Sequence, residues 1–451
     1  MASSLVVFTR DLRVADNPAL STACARSAAV LPLFVFDEPI VARSAGHVNR
    51  LRFLLQALAD LDASLRALGG ALAVRRGDWV AQVLAAASAA AASDIHVSED
   101  VSGYAAARLA RLDREAARLR LRVVRHPGIT IVPPGAITPP GGRAYRVFTP
   151  YFRRWQQVTL RRQAAIPQAV PLPPGVDAGH LPDLAELTLR PAARPAAGAL
   201  TGGERHGQAR LRAWLSGDLS GYDRHRDDLA AGQTSRLSAY LHLGCLSPLQ
   251  VAASACGNPG ADAFVRQLAW RDFFCQLLAA YPGAARHDFR DRGDRWTDDP
   301  DALAAWQSGR TGYPVVDAGM RQLAAEGFLP NRARMIVASF LAKDLYLDWR
   351  LGAAHFLRHL ADGDLAVNQM NWQWVAGTGT DTSRHRVLSP ARQGRKFDPA
   401  GDYIRRYVPE LGALPAGLIH DPDPRTRRAC GYPDPLVDHR AAVAAYHGRK
   451  R

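Results

Sequence analysis

The sequence predicts an α/β N-terminal domain with a doubly wound parallel sheet and an all-α C-terminal domain, joined by a long linker. Three observations carry this. Apolar strand runs alternate with amphipathic stretches over residues 1–130, which implies parallel strands covered by helices on both faces. Pro and Gly crowd residues 131–198. From 199 to 451 strand signals nearly vanish, and apolar residues recur at spacings of three and four.

In chain order, Leu5-Val-Val-Phe8 and Val30-Leu-Pro-Leu-Phe-Val-Phe36 read as buried strands. A helix over Arg50–Leu68 stops at Gly69-Gly70. Further strands are expected at Ala71–Val74, Asp94–Val97 and Leu121–Val124. No Gly-x-Gly-x-x-Gly follows the first strand, so the usual dinucleotide fingerprint is missing. In the linker, Pro133-Pro134, Pro139-Pro-Gly-Gly142 and Ile166–Gly175 exclude long helices and central strands, while Tyr145–Arg162 can form one helix. The C-terminal helical runs are Leu211–Leu215, Ala263–Leu278, Val315–Leu323, Met335–Leu347 and Ala353–Leu360.

The chain has 451 residues and a formal charge of +15, with basic residues that are nearly all Arg. A surface this basic attracts polyanions, nucleic acid first, although biased codon usage would also enrich Arg. No long apolar run and no leader are present, so a cytoplasmic protein without a membrane partner is expected. The five cysteines, Cys24, Cys245, Cys256, Cys275 and Cys430, are far apart, show no metal-type spacing, and are expected as free thiols. No metal is expected.

The densest chemistry lies in Asp362-Gly-Asp-Leu-Ala-Val-Asn-Gln-Met-Asn-Trp-Gln-Trp374. A helix starting near Asp364 puts Asp364, Asn368 and Trp372 on one face. Acid, amide and indole on one stripe suit gripping a polar aromatic ring and moving electrons; core filler and a plain turn are the bland reading. Thr234-Ser-Arg-Leu-Ser238 offers hydroxyls and free N–H groups to a phosphate, or simply caps a helix. Phe264–Asp272 and Asn331-Arg-Ala-Arg-Met335 place Arg, Gln, Asn and Trp in otherwise apolar helices. A buried Arg334 needs a partner, and Asp362 or Asp364 can serve.

Together these segments resemble the photolyase/cryptochrome family of flavoproteins, most closely its bacterial class I cyclobutane pyrimidine dimer photolyases. The matching motifs are Thr234–Ser238, Trp270-Arg-Asp-Phe273, Thr311–Leu323, Asn331–Met335, Asp348-Trp-Arg350, Asp362–Asp364 and Trp372-Gln-Trp374. The resemblance implies light-driven repair of UV-damaged DNA by a monomer, with excited reduced FAD passing an electron to a flipped-out dimer. By resemblance, FAD is held by Tyr222, Thr234, Ser235, Arg236, Leu237, Ser238, Arg334, Asp362, Gly363, Asp364 and Asn368. Trp372, Trp349 and Trp296 match its electron-transfer chain. Gln267, Met335 and Asn368 match the residues closest to the reaction. Arg226, Gln267, Trp270, Arg271, Asn331, Arg332, Met335 and Trp374 match the DNA and dimer contacts, with Arg392 and Lys396 as further phosphate contacts. The implied domains are 1–130 for an antenna chromophore, 131–198 as linker and 199–451 for FAD binding and catalysis.

Two departures stand out. Gln267 replaces a common Glu, and Asn368-Gln-Met-Asn371 replaces a run closer to Asn-Asn-Gly-Gly. For the antenna, Ala107-Arg108 stands where folate-binding members carry Asn-Glu. A deazaflavin near Asp100 is therefore preferred over folate, and an empty site stays open. The alternative function is a blue-light-sensing cryptochrome without repair activity. A (6-4) photolyase fits less well, because Asn331–Met335 contains no histidine.

Overall fold

The computed structural model describes residues 3–188, 194–381 and 386–449. They form two compact units that do not follow chain order. The first comprises residues up to 195, 200–220 and 235–282; the second comprises 196–199, 221–234 and 283 onward.

The first unit holds a five-stranded parallel sheet in the order β3-β2-β1-β4-β5. Its strands are β1 (Ser3–Phe8), β2 (Ala29–Asp37), β3 (Ala73–Gly77), β4 (Ala92–Ser98) and β5 (Arg122–His126). The runs Leu5–Phe8 and Val30–Phe36 are buried throughout, as strands covered on both faces must be. Two strands lie further along the chain than their apolar runs suggested. Ala71 and Leu72 belong to the turn after the helix Val48–Ala67, where Asp62 takes the Leu72 N–H at 2.8 Å, so pairing with β2 begins at Ala73.

The linker helix is shorter than expected, Phe148–Trp155. Beyond it the chain is held elsewhere: Asp16 accepts from Arg161 and from the Ala164 N–H, each at 2.8 Å, which pulls residues 161–164 out of helical register. The anchor of this region is Asp272, on the helix Ala261–Ala280. One of its oxygens accepts from the N–H groups of Ile131 and Val132 and from the indole of Trp155, all at 3.0 Å.

The second unit is helical around a core containing Trp306, Phe340, Trp349 and Phe356. The expected run Met335–Leu347 is not one helix. Asn331–Ser339 is α-helical, Phe340–Asp344 widens into a π turn, and Tyr346 adopts a left-handed φ of 54°. The helix Trp349–His359 then restarts, with the Asp348 carboxylate accepting from the Arg350 N–H at 2.9 Å. All five cysteines are free. No described helix is long and apolar enough to cross a membrane.

Burial pushes the Asp272 carboxyl up to about 6, from an ordinary value near 4. A folded-state pKa above the unfolded one means that the native state holds the proton more tightly. The stabilisation is therefore complete below about pH 4 and is lost as pH rises through about 6. Asp272→Asn is expected to flatten the pH dependence of urea-unfolding free energy in that window, by up to about 1.4 kcal/mol per pH unit. Unfolding curves of both proteins from about pH 4 to pH 7 measure it.

Candidate flavin and DNA site

In the second unit, the segment 362–374 is helical from Leu365 to Ala376. Asp364 is its N-cap, accepting from the Val367 N–H at 3.1 Å, and Gly377 ends it in the left-handed region. Asp364, Asn368 and Trp372 are all buried. Asn368 spends its amide protons inward, on the Ala353 carbonyl at 3.1 Å and Gln369 Oε1 at 2.9 Å. Its carbonyl oxygen is thereby left as an acceptor for a ring N–H. Gln369 in turn donates to the Ala285 carbonyl at 2.7 Å, and Met370 is fully buried. The bulk at 369–370, unexplained by sequence, orients Asn368 and fills the core.

Of the two carboxylates open to Arg334, Asp362 takes it, at 2.7 Å, while Arg334 Nε also donates to the Leu329 carbonyl at 2.6 Å. The other Asp362 oxygen, Oδ1, is buried and has no hydrogen-bond partner among the described residues. A buried carboxylate oxygen without a donor suits a ligand that brings one, such as a ribose hydroxyl or a flavin N–H. On this observation the residues fit FAD. Nearby in sequence, Gly363 makes the tight turn in which the Asp364 N–H reaches the Asp362 carbonyl at 2.6 Å. Tyr222 opens a single helical turn ending at His225, and burial pushes its phenol up to about 12. The Arg226 N–H closes that turn on the Tyr222 carbonyl at 2.9 Å, and the Thr234 N–H reaches the Gly232 carbonyl at 2.9 Å.

Asn331 is exposed, with its amide nitrogen 3.7 Å from the Met335 sulfur. Arg332 pairs with Asp227 at 2.7 Å and lies 4.2 Å from the Phe397 ring centre. Among the indoles, Trp349 is fully buried and donates to Asp288 at 2.8 Å. Trp372 packs edge-on against Trp306 at 6.1 Å and Phe356 at 5.0 Å. Trp296 is half-buried and lies 4.9 Å from Tyr346. Trp374 is half-buried against the core. Sequence reasoning missed Trp306 and Tyr346; neither sits in a motif, and only packing brings them to the indoles.

Of the remaining expected residues, Ser235 to Ser238, Gln267, Trp270 and Arg271 lie in the first unit. Ser238 opens a five-residue helix whose cap position is Leu237, with no side-chain cap. The Ser238 hydroxyl is thus not consumed by capping this helix. Arg236 takes a left-handed φ of 52°, and Arg210 holds the Ser235 carbonyl at 2.9 Å. Gln267, Trp270 and Arg271 share the helix Ala261–Ala280. Gln267 makes a long contact of 3.4 Å to the Ala263 carbonyl. One face of Trp270 is covered by Phe148, with ring centres 3.7 Å apart and planes 7° from parallel. The Arg271 side chain is 10% exposed and donates to the Ile129 and Leu241 carbonyls. Its charge serves the packing of this unit. At the ends of β1 and β4, a small pocket is lined by Trp79, Asp100 and Arg108. Arg108 pairs with Asp37 at 2.9 Å and stacks on Trp79 at 4.1 Å.

Arg334→Met leaves the buried Asp362 charge without its partner. A loss of about 2–4 kcal/mol is expected, the upper end discounted for the partial exposure of Arg334. Asp362→Asn removes the charge itself and is expected to cost less. Urea unfolding of the two variants ranks them; equal losses would assign the pair no electrostatic role.

Two family models match: "DNA photolyase" over residues 4–174 and "FAD binding domain of DNA photolyase" over residues 264–449. A deoxyribodipyrimidine photo-lyase of Streptomyces griseus is 46% identical, across 99% of this chain and 98% of its own. A solved bacterial class III photolyase from Agrobacterium tumefaciens superposes with a TM-score of 0.92 at 32% identity, covering 100% of this chain and 97% of its own. A cryptochrome of Synechocystis superposes with a TM-score of 0.91 at 27% identity, covering 99% of each chain. Full-length identity at this level shows that the chain belongs to the DNA photolyase family, and that it carries that family's FAD-binding domain.

Proposed function

We propose that this chain repairs cyclobutane pyrimidine dimers in DNA in a light-dependent reaction. The observation that carries the reading is the Asp362 oxygen left without a donor, on a carboxylate paired to Arg334 and two residues before the cap of the helix that carries Asn368. Held by Asp362, Arg334 and Asn368, reduced FAD would supply the light-driven one-electron chemistry that opening a cyclobutane ring requires. The chain's own residues bind, orient and exclude water. Asp362 accepts from the cofactor, Arg334 holds that carboxylate in place, and Asn368 offers an uncharged acceptor to a flavin N–H. Tyr222, Thr234, Ser235 to Ser238, Gly363 and Asp364 complete the cofactor contacts.

A dimer inside a duplex must leave the stack to be reached, at a cost of a few kcal/mol that is smaller for a damaged pair. Trp270 and Trp374 supply apolar faces to the flipped lesion, and Phe148 stiffens the first of them. Gln267 and Asn331 hydrogen-bond its edges, and Met335 packs on it. Arg226, Arg392 and Lys396 contact phosphates. Trp372, Trp349 and Trp296 carry electrons inward when the cofactor is oxidised. The pocket at Trp79, Asp100 and Arg108 takes an antenna chromophore. Ala107-Arg108 stands where folate-binding members carry Asn-Glu, and this favours a deazaflavin over folate.

Trp372→Phe is expected to slow light-driven reduction of oxidised FAD at least tenfold, while repair by pre-reduced protein falls by less than about threefold. Absorption kinetics and a repair assay measure the two; equal losses would give Trp372 a different role.

The test of function is repair of each lesion in a short duplex under blue light. Opening a (6-4) lesion needs a proton donor, and His suits that task near neutral pH. Asn331–Met335 has none, so cyclobutane dimers should be repaired and (6-4) products left. The likeness to the Synechocystis cryptochrome favours a second reading, a blue-light sensor. Repair of neither lesion, with reduced flavin bound, would select it.

A further inference from the structure

Beyond Trp296, the second unit holds a phenol in a setting made for oxidation. Tyr346 lies 4.9 Å from Trp296 between ring centres, and its hydroxyl donates to Asp294 Oδ1 at 2.6 Å. The contact is fixed by backbone. The Thr297 N–H donates to the Tyr346 carbonyl at 2.9 Å, and Thr297 bridges Leu347 in parallel. The carboxylate at 294 and the indole at 296 therefore come from one short segment stapled to 346–347. Tyr346 is 5% exposed and sits at a left-handed φ of 54°, a strained conformation that the stapling holds. The Arg449 guanidinium lies over its ring at 4.1 Å.

We infer that Tyr346 is the terminal electron donor of the indole path, passing its electron to oxidised Trp296 while its proton moves to Asp294. This rests on the electron path proposed above, and extends it by one residue. The step balances: the Trp296 radical cation, the Tyr346 phenol and the Asp294 carboxylate become neutral indole, a phenoxyl radical and a carboxylic acid. The oxidant is the indole radical cation left when an electron moves inward. A phenol that loses an electron becomes a very strong acid, so a base within hydrogen-bond reach is what the step requires. Arg449 makes the direction of the proton matter. A second positive charge on the ring beneath a guanidinium in a poorly solvated setting is unfavourable, whereas a neutral phenoxyl adds none. Trp296 is half-buried and has no hydrogen-bonded base among the described residues, so it holds an oxidised state less well than this phenol. The consequence is a longer-lived separation of charge after each light-driven reduction.

The experiment uses the full chain loaded with oxidised FAD and has two arms. In one, a light flash starts the path. In the other, azide radicals from pulse radiolysis oxidise indoles in the dark, with no electron passing to flavin. Ring-deuterated tyrosine identifies the phenoxyl radical by electron paramagnetic resonance. Wild-type protein should show the indole radical decaying as phenoxyl appears, in both arms. Tyr346→Phe, which keeps the ring and its packing, should cut the phenoxyl signal at least fivefold and lengthen the indole radical's life several-fold. Asp294→Asn, which keeps an acceptor but no useful base, should slow the conversion at least threefold. Unchanged phenoxyl yield in Tyr346→Phe, or no phenoxyl in wild type under azide, overturns the inference. Conversion under azide with none under light supports the Trp296–Tyr346 step and overturns instead the flavin-linked path.

Discussion

The Asp362 carboxylate is taken out of water, and the Arg334 guanidinium is what offsets its charge there. Much else follows from that constraint. Arg334 must come from a helix whose first turn faces the loop 362–364, and its second bond to the Leu329 carbonyl fixes the approach. The loop must turn sharply at Gly363 so that Asp364 can cap the next helix. That cap sets the rotation of Leu365–Ala376, and with it the positions of Asn368 and Trp372. A buried pair of this kind is weak as a source of stability but strong as a device for register, because mispairing strands a charge.

Asp272 plays the corresponding part in the first unit. One carboxyl oxygen gathers two backbone N–H groups from the linker and the indole of Trp155. This binds the irregular residues 131–132 and the helix Phe148–Trp155 to the helix that carries Gln267 and Trp270. The same region lays Phe148 flat on Trp270. Arg271 contributes to this scaffold by holding the Ile129 and Leu241 carbonyls. A motif residue read as a substrate contact is thus engaged in tying the linker down.

The indoles sit in contrasting environments. Trp349 is fully buried and hydrogen-bonded to Asp288, which Arg350 also engages at 2.6 Å. Trp372 is held in an apolar nest by Trp306 and Phe356, and a Cβ at Gly352 would collide with its ring. Trp296 is nearest to solvent and lies beside a phenol already bonded to a base. The surroundings of Trp372 are thus the least polar of the three, and a positive charge is better tolerated at Trp349 and Trp296.

By itself the sequence determined the α/β sheet, the helical second half, the helix beginning at Asp364 and the need of Arg334 for a partner at Asp362 or Asp364, between which the structure chose Asp362. Each of these is local, or follows from the rule that a buried charge needs a partner. The run Asp362–Trp374 was legible because a cap, an amide and an indole at spacings of four define one helix face whatever surrounds them. Tertiary structure decided what depends on residues far apart in sequence. Asp16 holds Arg161, 145 residues away, where the sequence alone would have continued the linker helix. The π turn at Phe340–Asp344 and the left-handed Tyr346 break a run whose apolar periodicity alone reads as continuous helix. Arg271 is buried against carbonyls that no local pattern could bring to it. The grouping of residues 200–220 and 235–282 with the α/β sheet is likewise invisible to periodicity, which reports how a segment coils and not which neighbour it packs against.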